Sequence, residues 1–128
     1  GTSLIYDYYG FDRQAYAPYL TYPAPTDLAV ADRVFGLLQQ AGIPARKMNR
    51  GFDHGTFMPL LLAFPEAKIP VVQVSMKVGL DPTEHFRLGE ILQPLREEGV
   101  LIIGSGSLTH NRGLIDLSGK KDRQAVKF

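Results

Sequence analysis

The chain has 128 residues, 45% hydrophobic and 21% charged, the balance of an ordinary globular protein long enough to bury a core. A formal net charge of +1, with no long basic run (Lys120-Lys121 is only a pair), provides no field to draw nucleic acid or an anionic membrane. The absence of cysteine excludes disulfides, thiolate nucleophiles and cysteine-based zinc sites, and fits a reducing, cytoplasmic setting; no apolar stretch reaches transmembrane length, and Gly1-Thr2-Ser3-Leu4 lacks a secretory pattern.

Residues 4–11 mix aromatic and β-branched side chains and read as a short strand entering a loop. Pro18, Pro23 and Pro25 then keep the chain extended, because a proline and its predecessor both disfavour helix. Asp27 is the cap of a helix over about 27–41, with Leu28, Ala31, Val34, Phe35 and Leu38 at helical spacing and Gly42 as its stop. Ile43–Met48 is a weaker strand candidate. Residues 50–65 predict a loop around His54, then a short apolar helix from Met58 to Phe64 closed by Pro65.

Ile69–Met76 reads as a buried strand with its proline near the start, where one is tolerated. Asp81-Pro82-Thr83-Glu84 opens a helix running to about Glu98, kinked at Pro94 and ended by Gly99. Val100–Ile103 is the next strand. Strand, helix, strand in that order implies an α/β protein with a right-handed parallel crossover. Beyond Asn111 the pattern dissolves, and no internal repeat is visible.

Two of the three histidines lie where chemistry is done. His54 sits in Gly51-Phe52-Asp53-His54-Gly55. His110 follows the Val100–Ile103 run and the turn Gly104-Ser105-Gly106-Ser107. A strand ending in a glycine turn delivers its next side chains to the carboxyl edge of a sheet, where open α/β proteins bind ligands. Histidine also suits proton transfer near neutral pH and metal ligation. The turn is neither a hydrolase elbow, which needs serine at 106, nor a full dinucleotide fingerprint; its amides could cradle an anion, but closeness of backbone to a ligand explains the glycines as well.

Tyr8-Tyr9-Gly10-Phe11, Tyr22-Pro23-Ala24-Pro25, Phe52-Asp53-His54-Gly55, Ile69-Pro70-Val71-Val72-Gln73-Val74-Ser75 and Gly104-Ser105-Gly106-Ser107-Leu108-Thr109-His110-Asn111 occur in that order. As an ordered set over nearly the whole chain they resemble the class III extradiol ring-cleavage dioxygenases. The likeness is to the 4,5-DOPA dioxygenase branch, related to the catalytic β-subunit of protocatechuate 4,5-dioxygenase. The resemblance implies a three-layer α/β/α fold with a mostly parallel sheet, holding a mononuclear metal. That metal is usually non-haem Fe(II), with zinc in some members. It implies insertion of both atoms of O₂ into a catechol beside its two hydroxyls. Family members also carry a His-Gly-Ser/Thr-Pro-type segment and a Ser-x-His-Trp-type histidine upstream, and a His-Pro segment downstream, which are not present here. The expectation is therefore one partial catalytic domain over 1–128, its sheet incomplete at both ends. With one or two credible ligands, such a chain holds metal weakly or not at all.

On this resemblance His54 and His110 are the catalytic candidates. His54 is an acid/base beside bound catechol, against the alternative of a loop-capping histidine. His110 is a metal ligand or an acid/base near the metal, roles that need different protonation, against the alternative of a helix-start histidine. Asp53, Tyr8 and Ser107 are substrate-pocket candidates. Asp53 either orients His54 or caps a turn, and the Tyr6, Tyr8 and Tyr9 cluster is either a catechol wall or core with satisfied hydroxyls. His85 reads as structural, packed on or beside the core face. The expected partners are a catechol-type small molecule and O₂, with no nucleic acid and no membrane, and a second copy of the chain recruited through exposed sheet edges. The rival reading is a non-catalytic binding or assembly module that keeps the fold without metal; a third, weaker one is a phosphate-ligand domain using the 104–107 turn.

Overall fold

A computed structural model describes residues 3–7 and 12–106. Among them are four α-helices, α1 (Arg13–Tyr16), α2 (Leu28–Gln40), α3 (His54–Ala63) and α4 (Pro82–Leu92), the last continuing into a 3-10 turn over Gln93–Arg96. The capping aspartates act as expected. The Asp27 carboxylate accepts the Val30 amide at 3.1 Å and the Asp81 carboxylate accepts the Glu84 amide at 3.0 Å, each satisfying a donor that the first turn leaves unpaired. Gly42 and Gly99 close their helices with φ of 71° and 79°, a region where a Cβ is costly. Pro94 marks the change from α to 3-10 geometry because it has no amide to continue the ladder.

Two apolar clusters hold these pieces. Val34, Leu37 and Leu38 of α2 pack against Leu92 and Leu95, with Leu88, Ile91 and Val100 around them. At the surface above them Arg33 grips Glu98 through Nε and Nη2 at 2.7–3.1 Å. The second cluster gathers Tyr22, Ala24, Phe52, Phe57 and Ala67 beneath α3, with Leu4, Tyr6 and Val71 packed on it. Phe57 is fully buried, a burial that contributes about 1.5–3 kcal/mol. The Tyr22 hydroxyl donates to the Phe64 carbonyl at 3.1 Å, so a ring that is almost fully buried keeps its polar end satisfied. That burial also raises the Tyr22 pKa.

The strands differ from expectation. Among the described residues no strand forms, and the sheet pairing is a single parallel bridge between Leu4 and Phe52. Ile43–Met48, Ile69–Met76 and Val100–Ile103 lack ladder partners there, so the three-layer sheet and its parallel crossover are not seen. Nor is Ile69–Met76 a buried strand: Ile69, Val74 and Met76 are 52%, 40% and 64% exposed, and Leu101 is 71% exposed. The physical reason is that a strand's amides and carbonyls are satisfied only by a neighbour in register, and apolar residues alone do not supply one.

One helical boundary and one whole helix also differ from expectation. α3 begins at His54 rather than Met58 and carries Pro59 within it. α1 was not foreseen; Asp12 caps it at the Gln14 amide, 3.0 Å away, and it stops short of Pro18.

Candidate active site

The site is built on the parallel bridge. The Phe52 amide donates to the Ser3 carbonyl at 3.0 Å and the Ile5 amide to the Phe52 carbonyl at 2.7 Å. This register carries Asp7 to the start of α3. Asp7 Oδ1 accepts the His54 backbone amide at 3.1 Å, and Asp7 Oδ2 lies 2.8 Å from His54 Nδ1. Burial alone pushes the Asp7 carboxyl up, but the bonds from the His54 ring and amide, its own backbone amide and the His54 charge together hold it below the usual aspartate value. A carboxylate at a helix N-terminus is further favoured by the helix dipole.

Asp53 does something different from orienting His54. Its carboxylate accepts Arg50 Nη1 at 2.9 Å and Gln73 Nε2 at 2.8 Å through Oδ2, and the Thr56 hydroxyl at 3.3 Å through Oδ1. Here too burial opposes ionisation and is outweighed by hydrogen bonds from Arg50, Gln73 and Thr56 and the Arg50 charge, so the Asp53 pKa is lowered. Asp53 therefore ties the α3 start to the extended 69–76 segment, while its backbone carbonyl opens the helix by accepting the Thr56 and Phe57 amides at 2.9 Å.

The turn after Val100–Ile103 reaches the same place. The Ser105 hydroxyl donates to the Gly55 carbonyl. That carbonyl is available because its α-helical partner would be the amide of residue 59, which is proline. So the glycine turn and the His54 loop, read separately in the sequence, adjoin in space. The Gly51–Gly55 loop also needs its glycine: a Cβ on Gly51 would lie 2.5 Å from the Ser3 carbonyl oxygen.

Tyr6 is core with a satisfied hydroxyl, which donates to the Leu20 carbonyl at 2.6 Å, and its ring packs edge-on against Phe57 at 6.2 Å. His85 bridges a loop and is not part of either apolar cluster. Its Nδ1 is 2.7 Å from the Asp81 carbonyl, and its Nε2 accepts the Lys77 amide at 3.0 Å. His110, Ser107, Tyr8 and Tyr9 lie outside the described residues. Asp7, Arg50 and Gln73 escaped the sequence reading. The tie from Asp7 to His54 spans 47 residues, and neither a lone aspartate in an aromatic segment nor a glutamine in an apolar run signals a partner that distant.

Among the described residues no three His, Cys, Asp or Glu side chains come together as metal ligands. Those residues thus do not by themselves fit a mononuclear centre. What they do assemble is a histidine held by a carboxylate, beside a glycine-serine turn.

Known proteins resemble the chain along most of its length. The family model for the catalytic LigB subunit of aromatic ring-opening dioxygenase matches residues 2–123. A 4,5-DOPA dioxygenase extradiol of Beta vulgaris is 47% identical over 108 residues, 83% of this chain and 40% of that protein. The like-named protein of Portulaca grandiflora is 48% identical over 93 residues, 71% of this chain and 34% of that protein. That of Escherichia coli is 37% identical over 107 residues, 84% of this chain and 39% of that protein. The chain thus spans about two fifths or less of the length of these relatives.

Proposed function

The chain belongs to the family of LigB catalytic subunits of aromatic ring-opening dioxygenases, and from that premise we propose that it supplies the proton-handling part of an extradiol, O₂-dependent catechol-cleaving site. The observation that carries this reading is the His54 ring held at Nδ1 by Asp7, with the Ser105 turn against the next residue. A ring-opening site needs a base for a catechol hydroxyl and an acid for the later rearrangement, and a positioned imidazole serves either need. His54 takes this role. His110 is a ligand to the metal or a second acid/base, and Asp53, Tyr8 and Ser107 line the substrate side.

The metal is Fe(II), with zinc as the alternative. Such an ion would supply open positions for substrate and O₂. The described residues do not by themselves make its site. The reading carries a cytoplasmic location, supported by the absence of cysteine. No described helix is long and apolar enough to cross a membrane.

The test is paired metal analysis and steady-state kinetics with a catechol substrate, on an active protein carrying this sequence. His54→Ala should keep its metal and lose turnover by about 10²–10⁴-fold, the range of general acid–base work. If His110 is a ligand, His110→Ala should lose metal as well. Metal lost from the His54 variant, with a near-normal rate in the fraction still loaded, shows the His54 role to be wrong. Unchanged metal and activity in both variants returns both histidines to structural roles.

A further inference from the structure

We infer that Asp7 is the positioning residue of His54, fixing the ring so that Nδ1 always carries a proton and only Nε2 exchanges one with a reacting group. This rests on the reading of His54 as the proton-transfer residue and adds which nitrogen does the work and what decides it.

The argument is stereochemical. The Asp7 carboxyl is held ionised, and an ionised carboxylate only accepts. Each of its oxygens meets His54: Oδ1 the backbone amide at 3.1 Å and Oδ2 the ring at 2.8 Å. Because Oδ2 cannot donate, Nδ1 must be the protonated nitrogen in the neutral ring. A single contact would let the carboxylate swing; the second, to the backbone of the same residue, fixes its plane relative to the ring. The Asp7 side chain is 22% exposed against 49% for His54, so the orienting group is the more enclosed and the oriented ring the more accessible. A base must offer a bare nitrogen, and a carboxylate on Nδ1 leaves Nε2 bare in the neutral ring.

The plainer alternative is that Asp7 only caps α3. Asp7→Asn separates the two. The asparagine Oδ1 can still accept the His54 amide, keeping the cap. Its NH₂ then faces Nδ1, which must accept, so the ring proton moves to Nε2. Asp7→Glu restores a carboxylate.

The experiment is long-range ¹H–¹⁵N correlation of the His54 ring in the ¹⁵N-labelled chain, at a pH where the ring is neutral, with circular dichroism and Tm as folding controls. The expected result is Nδ1–H in the unsubstituted chain, reversal to Nε2–H in D7N and return towards Nδ1–H in D7E. An Nε2–H ring in the unsubstituted chain, or a folded D7N with its tautomer unchanged, overturns the inference. Should D7N fail to fold, the tautomer of the unsubstituted chain decides. In an active protein carrying this sequence, D7N should lower kcat by about 10²–10⁴-fold with KM little changed, because the reversed ring offers no bare Nε2, and D7E should recover part of it. The two readings fail separately. An Nδ1–H ring with normal turnover in His54→Ala sinks the catalytic role and leaves the tautomer assignment standing. An Nε2–H ring with a slow His54→Ala does the reverse.

Discussion

Gly51 passes so close to Ser3 that a methyl group on it would lie 2.5 Å from the Ser3 carbonyl oxygen and 2.9 Å from its hydroxyl. The obstacle is backbone, and the same carbonyl accepts the Phe52 amide that sets the parallel bridge. Gly51→Ala should therefore destabilise by about 1–3 kcal/mol, the usual cost of overpacking. Gly36, inside α2, has nothing within 4 Å of its would-be Cβ. Gly36→Ala should stabilise by about 0.5–1 kcal/mol through helix propensity and a less flexible unfolded chain. Urea unfolding of the two variants checks both signs; equal midpoints would contradict the close approach at Gly51.

What could be read from the sequence follows the range of the forces involved. Asp27, Asp81, Gly42 and Gly99 act within one turn of their own helices, so their spacing sufficed. The core side of α2 was equally local: Val34 and Leu38 fall at helical spacing and are buried. Ladder pairing is not local. Ile69–Met76 has the composition of a buried strand, yet its burial depends on neighbours its own residues do not encode. The site divides the same way. The glycine-flanked His54 could be found, whereas Asp7 is joined to it only through the register of Leu4 with Phe52.

Acid should weaken the fold through Asp7 and Asp53. Both carboxyls are held below their ordinary value of 3.8 in the folded chain. Between that value and the lower folded ones the unfolded chain binds more protons, so stability falls as pH drops. The contribution is complete above 3.8 and gone once the folded carboxyls are protonated. Urea midpoints from pH 6 to about pH 3 should decline less steeply in Asp7→Asn and in Asp53→Asn than in the unsubstituted chain. Parallel declines in all three would remove these carboxylates from the acid response.

Self-association should run through the extended segments. Val74 and Met76, two residues apart in the extended 69–76 segment, are 40% and 64% exposed, and Leu101, Ile102 and Ile103 are 71%, 45% and 47% exposed. Apolar side chains beside backbone without ladder partners are a template for a second chain. Sedimentation across dilution should show a concentration-dependent dimer, shifted to monomer in the double variant Val74→Lys/Met76→Lys, because lysine on an edge discourages pairing. A monomer at every concentration would refute this, and would also remove support from the assembly-module reading.

Ser105 and Pro59 are coupled through the Gly55 carbonyl, and that coupling can be measured. Pro59 deprives the carbonyl of its helical donor, and the Ser105 hydroxyl takes that place. Ser105→Ala should cost about 0.5–1.5 kcal/mol, the net value of one hydrogen bond. Pro59→Ala supplies an amide at residue 59 and restores the helical bond to the same oxygen. Ser105→Ala made in that background should then cost close to nothing. The double-mutant cycle isolates the link, since residues sharing one partner do not add. Equal costs in both backgrounds would mean that the turn is held to α3 by something other than this carbonyl. The result also bears on the site: if the proline is what brings the 104–106 turn to Gly55, then Pro59→Ala should loosen the turn while leaving α3 intact. Faster amide exchange at Ser105 and Gly106, with α3 protection unchanged, is the signature to look for.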